Sequence, residues 1–137
     1  GCVVGKCKAG YMILFCAVDG DSESDIDLLA HKTVNLRVFE DADGKMNKSI
    51  LDVDGEILCI SQFTLAADVK KGNRPSFINA MEPVTADKYY NLYCKALKNH
   101  GVKSVETGRF GADMQVSIIN DGPVTIMLDT DIWNKKV

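Results

Sequence analysis

The chain has 137 residues, 46% of them hydrophobic, and a formal net charge of −3 at pH 7. This size and balance predict a single globular domain over residues 1–137, and the negative charge argues against a protein that coats nucleic acid nonspecifically. Because no apolar run is long enough to span a bilayer and residues 1–6 lack the pattern of a signal peptide, we expect a cytoplasmic protein without membrane contact.

The first half of the chain predicts strands around one amphipathic helix. Residues 11–18 form an apolar run that is typical of a central strand. The helix that follows begins at Ser22 or Ser24, both of which suit an N-cap. Its predicted core face consists of Ile26, Leu29, Ala30, Thr33 and Val34. Residues 36–39 predict a short strand, and residues 57–60 predict a buried one.

The second half predicts a long loop, a second helix and three strands. Residues 68–83 are polar and irregular, which favours a functional loop. The helix is expected to be capped by Thr85 and to end at Gly101. Its predicted core face consists of Tyr89, Leu92, Tyr93, Ala96 and Leu97. The predicted strands are residues 104–107, 113–119 and 124–128. Strands with two helices in this order indicate an α+β domain.

Two polar segments follow predicted strands at places where packing alone does not favour polar residues. Ser61, Gln62 and Thr64 come directly after the buried strand, and burying them is costly unless each polar group has a partner. Residues 120–125 contain a Gly-Pro step, Gly122-Pro123, which sets a rigid loop. An X-Pro bond is trans by default and can be cis at modest cost, and we expect trans bonds at the other two X-Pro steps.

These segments resemble the D-aminoacyl-tRNA deacylases, also called D-tyrosyl-tRNA deacylases. The motif Ser-Gln-Phe-Thr-Leu stands at residues 61–65, and Gly-Pro-Val-Thr stands at residues 122–125. Further matching blocks lie at residues 34–39, 71–77 and 108–116, so the resemblance covers nearly the whole chain in order. It implies a curved, barrel-like sheet of mixed and antiparallel strands, two amphipathic helices and a homodimer. It implies no cofactor.

The start of the chain departs from the family pattern. The family normally begins with a strand containing a Gln-Arg pair that supports the active-site region. Nothing in residues 1–16 matches that strand, so we expect it to be absent. Either this chain is truncated or the strand has been lost, and loss would expose a sheet edge and remove a supporting arginine.

The resemblance implies hydrolysis of the ester that joins an amino acid to the terminal ribose of tRNA. The implied catalytic residues are Ser61, Gln62, Phe63 and Thr64, with backbone amides of Phe63 and Thr64 among the donors to the ester oxygen. Two mechanisms remain open. Either the neighbouring ribose hydroxyl positions or activates water, which we favour, or Thr64 attacks directly, although no base beside it is evident.

Histidine chemistry is not supported at these motifs. A hydrolase with a Ser-His-Asp or Cys-His site needs an imidazole that accepts the proton of the nucleophile. The two histidines, His31 and His100, fall on predicted helices away from both motifs, which favours structural roles. Five cysteines without a C-x-x-C pair favour reduced core thiols over a metal site, so no metal is expected.

The resemblance implies that the Gly122-Pro123 bond is cis, against the trans default. Stereospecificity is implied to come from Gly122 and Pro123, whose loop in the family enters the pocket of the other subunit. Together with Val124 it is expected to meet the substrate and exclude an L side chain. Glycine lacks a side chain, so glycyl-tRNA, including glycine mischarged on tRNA-Ala, is a second expected substrate. Met114 either packs against this loop or pocket or is a core methionine.

The aminoacylated 3′ end of tRNA is the implied partner. Phe77 either stacks on the terminal adenine or is a core phenylalanine. The best basic patch for the phosphates consists of Lys70, Lys71 and Arg74. The alternative interpretation of these residues is a solvated loop. The alternative function is a catalytically silent homodimer that binds tRNA ends or other nucleic acid.

Overall fold

The structure is a computed structural model that describes residues 2–133. Its helices and strands are, in chain order, β1 (Gly10–Phe15), α1 (Glu23–Asn35), β2 (Phe39–Glu40), β3 (Met46–Lys48), β4 (Glu56–Ser61), α2 (Pro83–Asn99) and β5 (Val105–Thr107). Short 3-10 turns lie at Phe63–Ala66 and Thr130–Ile132. None of the helices within residues 2–133 has the length and apolar character needed to cross a membrane.

Three parallel strands form the main sheet in the order β1–β4–β5. Ile57 of β4 pairs with Tyr11 of β1 on one side and with Val105 of β5 on the other. Parallel neighbours need long crossover connections, and α1 and α2 lie in these connections. The prediction that the first strand is central is wrong. The central strand is β4, where Ile57, Cys59 and Ile60 are buried, whereas Leu14 of β1 is 41% exposed.

Helix α1 forms as its sequence predicts. Ser22 is the N-cap, and its backbone N–H donates to Oδ2 of Asp25 at 2.8 Å. This bond satisfies one of the amides that a helix start leaves unpaired, and the carboxylate also suits the positive end of the helix dipole. The residues buried from this helix are Ile26, Ala30, Thr33 and Val34, and Leu29 packs at the edge of the core.

Helix α2 begins earlier than predicted. Its N-cap is Glu82 rather than Thr85, because the Glu82 carboxylate accepts hydrogen bonds from the backbone N–H groups of Val84 and Thr85, both at 3.0 Å. These bonds lower the pKa of Glu82. Pro83 suits the first helical position, where an N–H has no intrahelical acceptor. The helix ends before Gly101, as predicted, and Gly101 has a positive φ of 113°.

The core lies between the two helices and one face of the main sheet. Alternate β4 residues, Ile57 and Cys59, are fully buried in it. The ring of Phe15 stacks on Tyr93 with the ring centroids 4.8 Å apart. The Tyr93 hydroxyl and the Thr33 hydroxyl lie 2.9 Å apart and hydrogen-bond within this core. The core therefore contains a buried polar pair whose two groups satisfy each other.

The opposite face of β4 borders a large open cleft of about 2760 Å³. Leu58 and Ile60, which alternate with the core residues, line it. The cleft extends to the chain segment of residues 112–128. This face of the sheet therefore lacks the cover that α1 and α2 give the other face.

The predicted strands at residues 113–119 and 124–128 are not formed. Both segments pair with no strand within residues 2–133, and strand preference depends on such cross-strand contacts. Their apolar side chains are correspondingly exposed, Ile119 to 96% and Met127 to 82%. The described part of the chain is therefore an α+β domain with two helices, an open parallel sheet and a small antiparallel pair.

The antiparallel pair, β2 with β3, replaces the strand predicted at residues 36–39. Phe39 pairs with Lys48 and Glu40 pairs with Met46 across an irregular register. Val38 and the residues before it lie outside the strand. The pattern located the apolar residues correctly but placed the strand too early, because the hairpin partner that fixes its register lies further along the chain.

Candidate active site

The polar motif of residues 61–65 begins where β4 ends. Ser61 is the last residue of β4 and pairs with Phe15, the last residue of β1. The backbone N–H of Gln62 then donates to the Phe15 carbonyl at 2.7 Å. After this bond the chain leaves the sheet and tightens into the 3-10 turn Phe63–Ala66. The sheet therefore fixes the point from which the turn starts.

The turn leaves two backbone donors at its amino end. The Gln62 carbonyl accepts from the Leu65 N–H at 3.2 Å, and the Thr64 carbonyl accepts from the Ala67 N–H at 3.1 Å. The backbone N–H groups of Phe63 and Thr64 donate to no acceptor within residues 2–133. Unpaired neighbouring amides at such a position suit an oxygen that gains negative charge.

The side chains of Gln62 and Thr64 contact each other. Nε2 of Gln62 donates to Oγ1 of Thr64. The Gln62 amide nitrogen carries two hydrogens, so a second one is left for another acceptor. Thr64 is exposed, and its side-chain partner is an amide donor rather than a base. The arrangement orients Thr64 without activating it as a nucleophile.

Both histidines are engaged on the helices. Nε2 of His100 lies 3.0 Å from Oδ1 of Asp27. Nδ1 of His31 lies 3.4 Å from Nδ2 of Asn35. The two imidazole rings contact each other edge to face, with centroids 5.6 Å apart. The prediction of structural roles for both is therefore consistent with their contacts.

Phe77 lies beside the motif. Its ring meets the ring of Phe63 at a centroid distance of 5.0 Å and an interplanar angle of 65°. Phe77 is 38% exposed and Phe63 is 57% exposed. The interpretation of Phe77 as a core residue is therefore wrong, and the aromatic pair presents a surface next to the turn.

The basic loop is held at its base by a short backbone bridge. Asp68 and Ser76 exchange two hydrogen bonds, of 2.7 and 2.9 Å. The residues between them, which include Lys70, Lys71 and Arg74, are exposed. The bridge therefore presents three cations on a single loop adjacent to Phe77.

Met114 packs against the strand ends rather than in the helical core. Its sulfur lies so close to Gly108 that a Cβ at position 108 would come within 2.8 Å of it, and that Cβ would also lie 3.0 Å from Cδ1 of Ile60. The Arg109 N–H donates to the same sulfur at 3.4 Å. Met114 thus fills the space beside β4 and β5 that the absence of a side chain at Gly108 leaves.

The Gly122-Pro123 peptide bond is cis, as predicted, and it is the one cis bond within residues 2–133. Gly122 has a positive φ of 128°, which favours glycine. Gly122 and Val124 line the large cleft, which also takes in Met114. Within residues 2–133, Pro123 and residues 61–64 lie outside the lining of that cleft. Leu65 and Ala66 of the turn do line it, so the Gly-Pro loop and the far end of the turn border one cleft.

Two contributors were missed by sequence reasoning. The thiol of Cys16 lies 3.7 Å from the Phe63 carbonyl, behind the turn, and burial raises its pKa. Asn120 bonds to both Val124 and Thr125 inside the Gly-Pro loop. An Asn two residues before Gly-Pro is a recognisable signal for such a loop, whereas the role of Cys16 depends on strand pairing.

All five cysteines are free thiols, and Cys59 and Cys94 lie in the core. Their side chains hydrogen-bond to each other, which raises the pKa of Cys59. Within residues 2–133, no three His, Cys, Asp or Glu side chains come together as metal ligands would. The described residues therefore contain no group that matches a metal centre.

A sequence profile described as D-Tyr-tRNA(Tyr) deacylase matches residues 1–129. The chain belongs to this family. It is 60% identical over 122 residues to the D-aminoacyl-tRNA deacylase of Bifidobacterium longum (strain NCC 2705), covering 89% of this chain and 75% of that protein. It is 51% identical over 129 residues to the D-aminoacyl-tRNA deacylase of Ruegeria pomeroyi (strain ATCC 700808 / DSM 15171 / DSS-3), covering 94% and 88%.

Two solved structures are similar to this chain in shape. The "c-Myc DNA Unwinding Element Binding Protein" matches with a TM-score of 0.84 and 42% identity, over 90% of this chain and 83% of that chain. A probable eukaryotic D-amino acid tRNA deacylase matches with a TM-score of 0.63 over 78% and 77%. Its identity is 16%, so that likeness shows the fold alone.

Proposed function

We propose that this chain hydrolyses the ester bond of D-aminoacyl-tRNA and spares L-aminoacyl-tRNA. The observation that carries the proposal is the pair of unpaired amides, Phe63 and Thr64, at the end of β4. They stand within the motif that the chain shares with the deacylase family, and they suit the oxygen of a tetrahedral ester intermediate. The names of the relatives in Bifidobacterium longum and Ruegeria pomeroyi support the same activity.

The mechanism we propose draws its reactivity from the substrate. An aminoacyl ester is already activated, and the neighbouring ribose hydroxyl positions or activates the attacking water. Gln62 supplies a further donor from its remaining Nε2 hydrogen, and Ser61 and Thr64 shape the site. The engagement of both histidines on the helices supports this mechanism over a base-activated nucleophile.

We propose that the 3′ end of tRNA lies along the surface beside the turn. The exposed ring of Phe77 suits stacking on the terminal adenine. The cations of Lys70, Lys71 and Arg74 suit the phosphates that precede it. The substrate also supports a cytoplasmic place of action, where tRNA is charged.

The selectivity we propose is rejection of an L side chain by the Gly122-Pro123 loop of a second copy, with Val124 and Met114 beside it. The match of residues 122–125 to the family's Gly-Pro-Val-Thr motif, whose loop enters the pocket of the other subunit, supports action in trans. It requires a homodimer with a two-fold interface. We expect residues 1–137 of each copy to form one domain. We also expect the open sheet to take part in a barrel-like arrangement in that dimer.

The activity is tested with tRNA charged with D-tyrosine, L-tyrosine or glycine. Purified protein is expected to release D-tyrosine and glycine and to leave L-tyrosine attached. The protein-free reaction provides the spontaneous rate. Release of D- and L-tyrosine at equal rates, or no release above the spontaneous rate, would exclude the proposed activity.

The dimer and the trans loop are tested by mixing two inactive variants, Ser61→Trp and Gly122→Val. In a mixed dimer one site combines the intact Ser61 of one copy with the intact Gly122 of the other. Random pairing gives mixed dimers in half of the population, with one intact site of two, so about a quarter of the normal activity should return. No recovery after verified subunit exchange would contradict action in trans, and a monodisperse monomer in light scattering would contradict the dimer.

A second candidate function is nucleic-acid binding without turnover. The similar solved structure named "c-Myc DNA Unwinding Element Binding Protein" favours this candidate, because that name describes a DNA-binding protein. The candidate predicts retention of tRNA or DNA on a filter by protein that leaves D-Tyr-tRNA intact. Hydrolysis of D-Tyr-tRNA at a protein concentration equal to or below the one needed for binding would exclude binding without turnover as the main function.

A further inference from the structure

The side chain of Asn120 bridges the Gly-Pro loop from within. The Val124 N–H donates to its Oδ1 at 2.9 Å, and its Nδ2 lies 3.0 Å from Oγ1 of Thr125. A backbone N–H can only donate, so Oδ1 must face Val124 and Nδ2 must face the Thr125 hydroxyl. The orientation of the amide is thereby fixed by chemistry, and both of its polar ends are used.

Val124, which Asn120 restrains, lies directly against Gly122. A Cβ at position 122 would come within 2.9 Å of Cγ2 of Val124 and 3.2 Å of its backbone nitrogen. Gly122 therefore packs directly against the residue whose amide Asn120 holds. Because Val124 lies this close and is joined to Gly122 through Pro123, we expect a displacement of Val124 to shift Gly122.

We propose that Asn120 is a positioning residue that sets the preference for D- over L-aminoacyl-tRNA. This inference rests on the proposed function and extends it to a residue that acts only through Val124 and Thr125. Asn120 holds the backbone of the loop at the place where the loop excludes an L side chain. A small displacement of the loop opens room for that side chain and leaves the donors at residues 61–64 unchanged.

Three variants separate hydrogen bonding from volume. Asn120→Leu keeps a similar size and removes both bonds. Asn120→Asp keeps an acceptor for the Val124 N–H, and its second oxygen accepts from the Thr125 hydroxyl, which is free to rotate. Asn91→Leu is the matched control, since Asn91 is also exposed but lies on α2 and bonds to Asp87 within that helix.

The measurement is the ratio of single-turnover rates on D-Tyr-tRNA and L-Tyr-tRNA. Asn120→Leu is expected to lower this ratio by about tenfold or more, mainly by raising the L rate, because misplacement of about 1 Å is worth up to about 10²-fold in positioning. Asn120→Asp and Asn91→Leu should stay near the wild-type ratio. An unchanged ratio in Asn120→Leu, or an equal loss in Asn120→Asp, would overturn the proposal.

Amide hydrogen exchange at Val124 tests the restraint without any turnover. Protection of this amide should fall in Asn120→Leu and persist in Asn120→Asp, and equal protection in the two variants would overturn the positioning role. Wild-type protein that does not discriminate D- from L-Tyr-tRNA would contradict the proposed function. If the difference in Val124 exchange is still seen in that case, the restraint of Val124 by Asn120 stands. If discrimination is normal and insensitive to Asn120, the inference alone has failed.

Discussion

Replacing Thr64 by valine tests how the ester is cleaved. Valine keeps the β-branched shape and removes the hydroxyl. In the structure that hydroxyl accepts a hydrogen bond from Gln62 and is exposed, and both histidines are engaged on the helices. We therefore expect Thr64→Val to retain most of the turnover of D-Tyr-tRNA.

The two mechanisms differ greatly in the expected magnitude. Loss of one neutral hydrogen bond is worth about 0.5–1.5 kcal/mol, which corresponds to about a two- to tenfold lower rate. Loss of a nucleophile typically lowers turnover by about 10⁴-fold or more. These two ranges of rate loss do not overlap, so one substitution at Thr64 is enough to distinguish the two mechanisms.

The assay is single-turnover deacylation of D-Tyr-tRNA at saturating protein, with tRNA affinity measured separately. Gln62→Ala should lower the rate by about 10²-fold, which is more than Thr64→Val, if the Gln62 amide helps to stabilise the developing oxyanion. A bulky residue at Ser61 should also lose more, since it blocks the start of the turn. A loss above about 10³-fold in Thr64→Val with unchanged tRNA binding would restore Thr64 as the nucleophile.

Two further predictions concern the core and the pH dependence of stability. Thr33→Val should lower the free energy of unfolding by about 1–3 kcal/mol, because it leaves the buried Tyr93 hydroxyl without its partner, and adding Tyr93→Phe should recover part of that loss in urea unfolding. Tyr11→Phe should not lower stability at pH 7, because the buried Tyr11 hydroxyl has no partner within residues 2–133. Burial raises the pKa of Tyr11 to about 12 from 10.0, because ionising this hydroxyl is costlier in the folded state. The free energy of unfolding is therefore insensitive to this group below pH 10 and falls from pH 10 to 12, and Tyr11→Phe should flatten this fall. An equally steep fall in Tyr11→Phe would contradict the assignment.

The helices could be predicted from sequence because their determinants are local. The apolar spacing from Ile26 to Val34 lies within a few turns, and so do the cap at Ser22 and the glycine at Gly101. The error at the start of α2 was also local. Thr85 and Glu82 are both able to accept amide hydrogen bonds, and the choice between them depends on Pro83 occupying the first helical position.

The sheet was harder to predict because strand pairing is not local. Residues 113–119 and 124–128 have the composition of strands but pair with no strand within residues 2–133. The candidate site shows the same contrast between local and non-local determinants. The motif at residues 61–65 was recognisable as a string, whereas the contact of Phe63 with Phe77 required the path of the intervening loop.

The geometry of this site indicates where its sensitivity to mutation should lie. The best-placed donors are backbone N–H groups at Phe63 and Thr64, which no substitution other than proline removes. Their placement depends on the hydrogen bond from Gln62 to Phe15, which anchors the turn to the end of β1. In the proposed dimer, stereospecificity depends in the same way on backbone held by Asn120. Substitutions that move these two backbone segments should therefore alter rate and selectivity more than removal of the Thr64 hydroxyl, although Thr64 is the side chain that most resembles a nucleophile.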